Sequence, residues 1–328
     1  MIKNSSISVI IPIYNRANVL RRALKSVMEQ TLAPHEIIVV DDGSDDDPFS
    51  VAQNICDSRL NYICFESNKN AAFARNAGAE VATGDYLAFL DSDDQWLPDH
   101  LESKVRCLQS SPEAQAVFGS FLLQRETGEQ FANHLPVIGD EENMATYILE
   151  RPGGDIRTST MVVKRGAFSK VKFDAELGKH QDWDFAIRFD DRFSWVLERE
   201  PTAVMFISSA DRMSGKPNHQ ATKRFLEKHS EHFSSVALSR MCTSMAVVTL
   251  FSEGRSPNFQ WYYDRIQWSP VVGKRTFITK TLLSLPFAAS SIKIARWLAR
   301  WYRFSVRGSR TIKSIENSIK TIHDAVRA

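Results

Sequence analysis

Tyr86-Leu87-Ala88-Phe89-Leu90-Asp91-Ser92-Asp93-Asp94 decides how this chain is read. An apolar run stops abruptly in three carboxylates within four positions. Apolar runs of this length, bounded by polar residues, are expected to be buried strands. Carboxylates crowded at the end of one strand repel one another unless a cation lies between them. Hard divalent ions such as Mg²⁺ or Mn²⁺ take oxygen ligands, commonly one or two carboxylates plus the phosphates of a substrate. Ligands of open α/β sheets collect at the carboxyl ends of strands. The segment therefore points to a metal-dependent enzyme that handles a phosphorylated substrate. The same residues also suit an acidic loop capping the next helix, because Asp is a favoured N-cap.

Outward from this segment the first hundred residues alternate regularly. Ile7-Ser8-Val9-Ile10-Ile11 is a β-branched run that ends at Pro12. Residues 19–30 place Val19, Leu20, Ala23, Leu24, Val27 and Met28 at helical spacing. Residues 36–40 read as a second strand, closed by Asp41-Asp42-Gly43-Ser44, and 48–56 as a second helix. Residues 60–65 read as a third strand, 71–82 as an Ala-rich helix stopped by Thr83-Gly84-Asp85, and 86–90 as a fourth strand. This alternation implies βαβ units, and so an α/β fold with a mainly parallel, Rossmann-like sheet flanked by helices. Further along, 116–123, 158–163 and 204–207 are expected as strands and 183–189 as a helix.

In a parallel sheet all carboxyl ends lie on one edge. Asp41-Asp42 and Asp91-Ser92-Asp93-Asp94 therefore converge, and Pro12-Ile13-Tyr14-Asn15-Arg16 ends on the same edge. The helix 71–82 should begin near it, carrying Arg75 and Asn76. A nucleotide laid across these ends finds Asp to accept from a base N–H and Arg for charge-assisted contacts with a diphosphate.

These blocks, in this order, resemble the family 2 inverting glycosyltransferases with the GT-A fold. The matching text is Ser8–Arg16, Ile38–Ser44, Asn70–Gly78, Thr83–Asp94 and His180-Gln181-Asp182-Trp183-Asp184. The resemblance covers roughly residues 5–215. It implies roles for Pro12, Tyr14, Arg16 and Asp42 at the nucleotide, and for Arg75 at the base or diphosphate. It implies Asp91 and Ser92 near the donor ribose and sugar, and Asp93, with Asp91 beside it, on Mn²⁺ or Mg²⁺. Asp182 would be the general base of a single in-line displacement, facing the acceptor hydroxyl opposite the leaving group. A helix N-cap is the other role open to Asp182, and Asp184 is the fallback base. Thr158-Ser159-Thr160 would line the donor-sugar or acceptor pocket, or simply form a polar-faced strand. Arg212 falls where the family often has a basic loop over the diphosphate. Gln181 stands where the family often has Glu, which changes the surroundings of the base.

Composition divides the chain. It has 328 residues, 43% hydrophobic and 24% charged, as in ordinary soluble globular proteins. Residues 1–215 carry 22 Lys and Arg against 33 Asp and Glu, and residues 216–328 carry 19 against 6. Two domains are expected, a catalytic one over 1–215 and a helical, basic, aromatic-rich one over 216–328. Ile292–Arg307 would set Arg296, Arg300, Arg303 and Arg307 on one stripe of a helix, with Ile294, Trp297, Leu298 and Trp301 roughly opposite. Such a helix suits an anionic membrane surface, and a helix packed on the catalytic domain reads the same. No nucleic-acid recognition motif accompanies the charge. Four cysteines, Cys56, Cys64, Cys107 and Cys242, show no zinc or disulfide spacing. With no signal-peptide pattern at the N-terminus, a cytoplasmic protein is expected, docked peripherally on the inner face of the membrane.

The expected activity is transfer of a sugar from a nucleotide-diphosphate donor to a hydroxyl of a saccharide or polyprenyl-linked acceptor, in polysaccharide synthesis. A sugar-nucleotide nucleotidyltransferase would want a Gly-rich loop after the first strand, where this chain has Pro12–Arg16. A non-catalytic carbohydrate-binding protein would not need Asp93 and Asp182. A Rossmann dehydrogenase would carry GxGxxG there, and this chain does not.

Overall fold

The β-branched and apolar runs near the N-terminus pair into the parallel half of one sheet. The computed structural model describes residues 5–207, 217–267, 279–281 and 283–284. The first elements are β1 (Ile7–Ile13), α1 (Ala17–Met28), β2 (Glu36–Asp41), α2 (Pro48–Ile55), β3 (Leu60–Cys64), α3 (Ala71–Val81) and β4 (Tyr86–Phe89). The strands lie in the order β3-β2-β1-β4, all parallel. Every residue of β1 is buried, as expected of a central strand covered on both faces. Register sets Ile13 opposite Asp41 and Ile10 opposite Phe89, so the strands deliver their acidic ends to one edge. Helix α3 lies close on β1: a Cβ added to Gly78 would sit 2.7 Å from Ile10 Cγ2.

The second half of the sheet is mixed. Next come β5 (Gln95–Trp96), α4 (His100–Ser110), β6 (Ala114–Arg125), β7 (Gln130–Asn133) and α5 (Met144–Leu149). A 3₁₀ turn (Thr158–Thr160) leads to β8 (Val162–Lys164), α6 (Arg165–Phe168), α7 (Gln181–Asp190) and β9 (Ser194–Ile207). The sheet continues β4-β8-β6-β9-β5, with β7 on β6. The β6–β9 pair is parallel, and β4–β8, β6–β8, β6–β7 and β5–β9 are antiparallel. An aromatic core of Phe168, Phe173, Phe185, Phe189 and Trp195 seats α7.

Two strand expectations change. The expected strand 158–163 is a 3₁₀ turn followed by a short strand, because Thr160 bonds back to the Arg157 carbonyl through both its N–H and its hydroxyl. Strand β9 starts ten residues before the expected Val204. Pro201 sits where the β6–β9 ladder skips from Gly119/Glu198 to Phe121/Ala203, an irregularity that tolerates a residue without an N–H.

Two compact units are present, residues 1–144 with 154–209 and residues 145–153 with 210–328. Among its described residues the second is helical: α8 (His219–Lys228), α9 (Ser235–Glu253) and α10 (Pro257–Asp264). Ser234 caps α9 and Ser256 caps α10, each hydroxyl accepting a first-turn N–H. By length and apolar character α9 could cross a membrane, but 56% of that stretch is buried, as in the core helix of a globular unit. His219 bonds Glu253 at 2.8 Å and Tyr262 at 3.2 Å within this unit. Arg212, the 215/216 boundary and the amphipathic stretch 292–307 lie outside the described residues.

Candidate active site

The strand ends are shaped by side chains that satisfy loop backbone. After β1, Asn15 adopts φ 49°, a left-handed conformation that Asn tolerates better than most residues. Its N–H donates to Ser44 Oγ at 2.9 Å, and its Oδ1 accepts from the Asp45 N–H at 2.8 Å. The Ala17 N–H, in the first turn of α1, donates to Asp46 Oδ2 at 2.7 Å. These bonds tie the β1–α1 loop to the β2–α2 loop. Pro12 is buried in β1, whereas the Tyr14 ring stands 44% exposed and open to a ligand.

The paired carboxylates after β2 are both engaged. Asp41 accepts from the Ser44 N–H and the Tyr62 hydroxyl, each at 2.9 Å. Asp42 accepts from the Lys69 N–H at 2.9 Å and the Asn70 N–H at 2.7 Å. Burial raises the Asp42 pKa, and these two N–H bonds oppose the rise. Asp42 therefore fixes the entrance to α3, where Asn70 caps the helix by accepting from Ala72 and Phe73.

The acidic turn is the centre of the site. The Asp94 N–H donates to the Asp91 carbonyl at 3.0 Å and closes it. Asp91 Oδ1 meets Arg75 Nη2 at 2.5 Å, and Asp93 Oδ2 meets Arg16 Nη1 at 2.9 Å. Arg22, its guanidinium 3.3 Å from the Phe206 ring centroid, donates to the Asp93 carbonyl. Ser92 is buried, and Asp94 accepts from Ser159 Oγ at 2.6 Å. The side chains of Asp91 and Asp93 remain 34% and 25% exposed. Each gives one oxygen to an arginine and keeps the other. Among the described residues no group of three or more His, Cys, Asp or Glu could hold a metal ion. A two-carboxylate oxygen set that leaves the remaining positions to phosphates and water nevertheless fits Mg²⁺ or Mn²⁺.

Helix α7 brings the expected base. His180 occupies the N-cap at φ 62° without a side-chain cap bond, so capping falls to neither Asp182 nor Asp184. Asp182, in the first turn, is half-buried, and its Oδ1 accepts from the Trp183 N–H at 3.0 Å. Burial pushes the Asp182 carboxyl up to about 6, against the field of Arg157 and with help from Asp155. Arg157 binds one oxygen of Asp155 through Nε at 2.8 Å and Nη2 at 2.7 Å. Asp184 is fully buried and bonded to Arg188 Nε at 2.9 Å, so it has no path to a substrate.

Arg75 joins the two halves. Its other arm, Nη1, donates to Gln181 Oε1 at 3.0 Å, and the Gln181 amide donates to the Leu177 carbonyl at 2.6 Å. One buried guanidinium thus fixes the acidic turn to the helix that carries Asp182. Gln181, noticed in the sequence only as a departure, is the neutral partner that lets Arg75 do this. Arg157 and Asp155, the charges beside Asp182, carry no mark in the sequence reading. A charged pair two residues apart in an irregular stretch carries no periodic signal. Thr158, Ser159 and Thr160 are buried rather than lining an open pocket.

Comparison with known proteins bears on the family and the fold. The model of the family described as glycosyl transferase family 2 matches residues 8–172. The amylovoran biosynthesis glycosyltransferase AmsB of Erwinia amylovora is 34% identical over 212 residues, 61% of this chain and 69% of the relative. The UDP-Glc:alpha-D-GlcNAc-diphosphoundecaprenol beta-1,3-glucosyltransferase WfaP of Escherichia coli is 38% identical over 106 residues, 32% of this chain and 41% of the relative. Among solved structures, residues 1–349 of S. aureus TarS in complex with UDP-GlcNAc superpose with a TM-score of 0.61 at 16% identity, covering 98% of this chain and 92% of that one. That similarity supports the fold. The chain belongs to glycosyl transferase family 2.

Proposed function

We propose that the protein is a metal-dependent, inverting glycosyltransferase of polysaccharide synthesis. It moves a sugar from a nucleotide-diphosphate donor to a hydroxyl of a saccharide or a polyprenyl-linked saccharide. The observation that carries this reading is Asp182, a half-buried carboxylate raised to about 6 and linked through Gln181 and Arg75 to the Asp91–Asp94 turn. The donor and acceptor classes are those named for WfaP, a relative over 32% of this chain. We place the activity in the cytoplasm at the membrane face, on the basic character of residues 216–328.

Asp182 takes the proton of the acceptor hydroxyl. That oxygen bonds to the anomeric carbon while the bond from this carbon to the diphosphate oxygen breaks on the opposite face. The proton rests on Asp182, and the electron pair leaves with the nucleoside diphosphate. Tyr14, with Pro12 behind it, offers the nucleobase an exposed ring. Asp42 keeps its loop in shape for the base. Arg16 and Arg75 hold the acidic turn and stand ready to meet phosphate oxygens once a donor arrives. Asp93, with Asp91 beside it, would hold Mn²⁺ or Mg²⁺, which when bound supplies Lewis-acid compensation for charge on the leaving diphosphate.

The test is a thermal-shift panel of nucleotide sugars and free nucleoside diphosphates, each with and without Mn²⁺. A metal-dependent rise in Tm for one nucleotide, lost in Asp93→Ala, supports the reading. A rise unchanged by metal, or by Asp93→Ala, counts against metal dependence. No rise with any nucleotide counts against the donor site.

A further inference from the structure

Ser159, expected to line a sugar pocket, is instead buried and touches both ends of the acidic turn. Its hydroxyl donates to Asp94 Oδ2 at 2.6 Å and accepts from the Asp91 N–H at 3.1 Å. Its carbonyl accepts from Trp96 Nε1 at 2.7 Å. Ser159 is 1% exposed and Trp96 also 1%, so no water competes for these bonds. Trp96 is held in turn. Its ring stacks on His100 at 4.3 Å, and its backbone N–H donates to Ser26 Oγ at 3.1 Å. His100 Nδ1 meets Thr202 Oγ1 at 2.9 Å, and Thr202 donates to Glu198, the partner of Lys104. A buried polar chain therefore runs from the Lys104–Glu198 pair to the back of the acidic turn.

We propose that Ser159 is a positioning residue that sets the spacing of the Asp91–Asp94 turn for metal-bound diphosphate, with Trp96 fixing Ser159 from behind. The inference rests on the donor-site reading above. A hydroxyl has one donor and two lone pairs, and this one spends its donor on Asp94 and a lone pair on Asp91. Removing it takes one hydrogen bond from each end of the turn at once, while Arg75 and Arg16 still hold the Asp91 and Asp93 carboxylates. Supporting residues of this kind typically change metal affinity by about ten- to a hundredfold.

The experiment uses the full chain as wild type, Ser159→Ala and Trp96→Phe. UDP and, where UDP is silent, GDP or dTDP are titrated calorimetrically with and without Mn²⁺, and Mn²⁺ uptake is followed by electron paramagnetic resonance. For Ser159→Ala the expected result is a loss of about tenfold or more in Mn²⁺-dependent nucleotide affinity, with metal-free affinity within about twofold of wild type. Trp96→Phe keeps the ring and loses the N–H, and a smaller loss in the same sense is expected. A merely structural Ser159 would lower Tm and leave the metal-dependent increment intact, which overturns the proposal. If Ser159→Ala does not fold, Trp96→Phe decides by the same criterion. A wild type that binds no nucleoside diphosphate in either condition overturns the donor-site reading itself, and this inference with it.

Discussion

Replacing Asp182 by Asn should make the protein more stable and far less active. The carboxyl is raised from 3.8 to about 6, so the folded state disfavours its charge. Each unit is worth about 1.36 kcal/mol, giving a ceiling of about 3 kcal/mol. Partial exposure of the carboxylate reduces this to about 1–2 kcal/mol. The sign follows from linkage. A folded pKa above the unfolded one means no penalty below the unfolded value, a growing penalty as pH rises through this window, and a full penalty above about 6. Asn has the same shape, still accepts from the Trp183 N–H, and carries no charge to bury. At pH 8 its Tm should exceed wild type by roughly 1.5–3 °C, at about 1.5 °C per kcal/mol for 328 residues with an unfolding entropy of ~2.1 cal/mol/K each. Below pH 4 the two melting curves should converge. Turnover should fall by roughly a hundredfold to ten-thousandfold, the usual contribution of a general base. Calorimetry at the two pH values and a nucleotide-release assay measure both. An equal or lower Tm at pH 8 would refute the argument about charge burial, and a turnover loss under about tenfold would refute the base.

Other expectations follow from neighbouring contacts. The acidic limb of the kcat/KM profile should fall near pH 6, since only the carboxylate form of Asp182 accepts a proton. Arg157→Gln removes the cation that opposes protonation, so the limb should move to higher pH; a limb that stays or moves lower contradicts the role of Arg157. Lys104→Met takes the cation from Glu198 at 3% exposure and should cost about 3–5 kcal/mol in urea unfolding. The double variant Lys104→Met/Glu198→Leu should recover most of that loss, and a double variant no better than the single would contradict the pairing. Gly78→Ala forces a Cβ to 2.7 Å from Ile10 Cγ2 and should cost about 1–3 kcal/mol, whereas an unchanged Tm would mean that α3 is not seated on β1 as described.

The parallel half of the sheet was legible because its signal is local. Strands β1, β2 and β4 are continuous apolar runs, their helices keep a 3.6-residue period, and the carboxylates stand directly at the strand ends. In the mixed half the expected strand 116–123 lies within β6 and the expected helix 183–189 within α7, but the rest hid behind buried polar groups. His100 and Lys104 lie inside α4, and this breaks the apolar stripe that would have announced the helix. Glu198-Arg199-Glu200-Pro201 reads as a loop although it lies within β9, because Glu198 is paired with Lys104 and the proline sits at a ladder irregularity. Asp91, Asp93 and Asp182 were legible as candidates from their motifs. The contacts that tune them were not, because Arg157, Gln181 and Ser159 come from distant segments and owe their proximity to tertiary packing. Asp42 was assigned to the nucleobase from its motif, and sequence could not reveal that its carboxylate also holds the Lys69 and Asn70 backbone.

The most direct measurement of the central claim uses water as acceptor. An α-linked nucleotide hexose, chosen as the one that binds, is incubated with the protein and Mn²⁺, and the first sugar released is read by proton NMR before it mutarotates. The account expects the β anomer, formed only with metal and strongly reduced in Asp182→Asn. Release of the α anomer, or β release that persists undiminished in Asp182→Asn, would contradict a single displacement driven by that carboxylate.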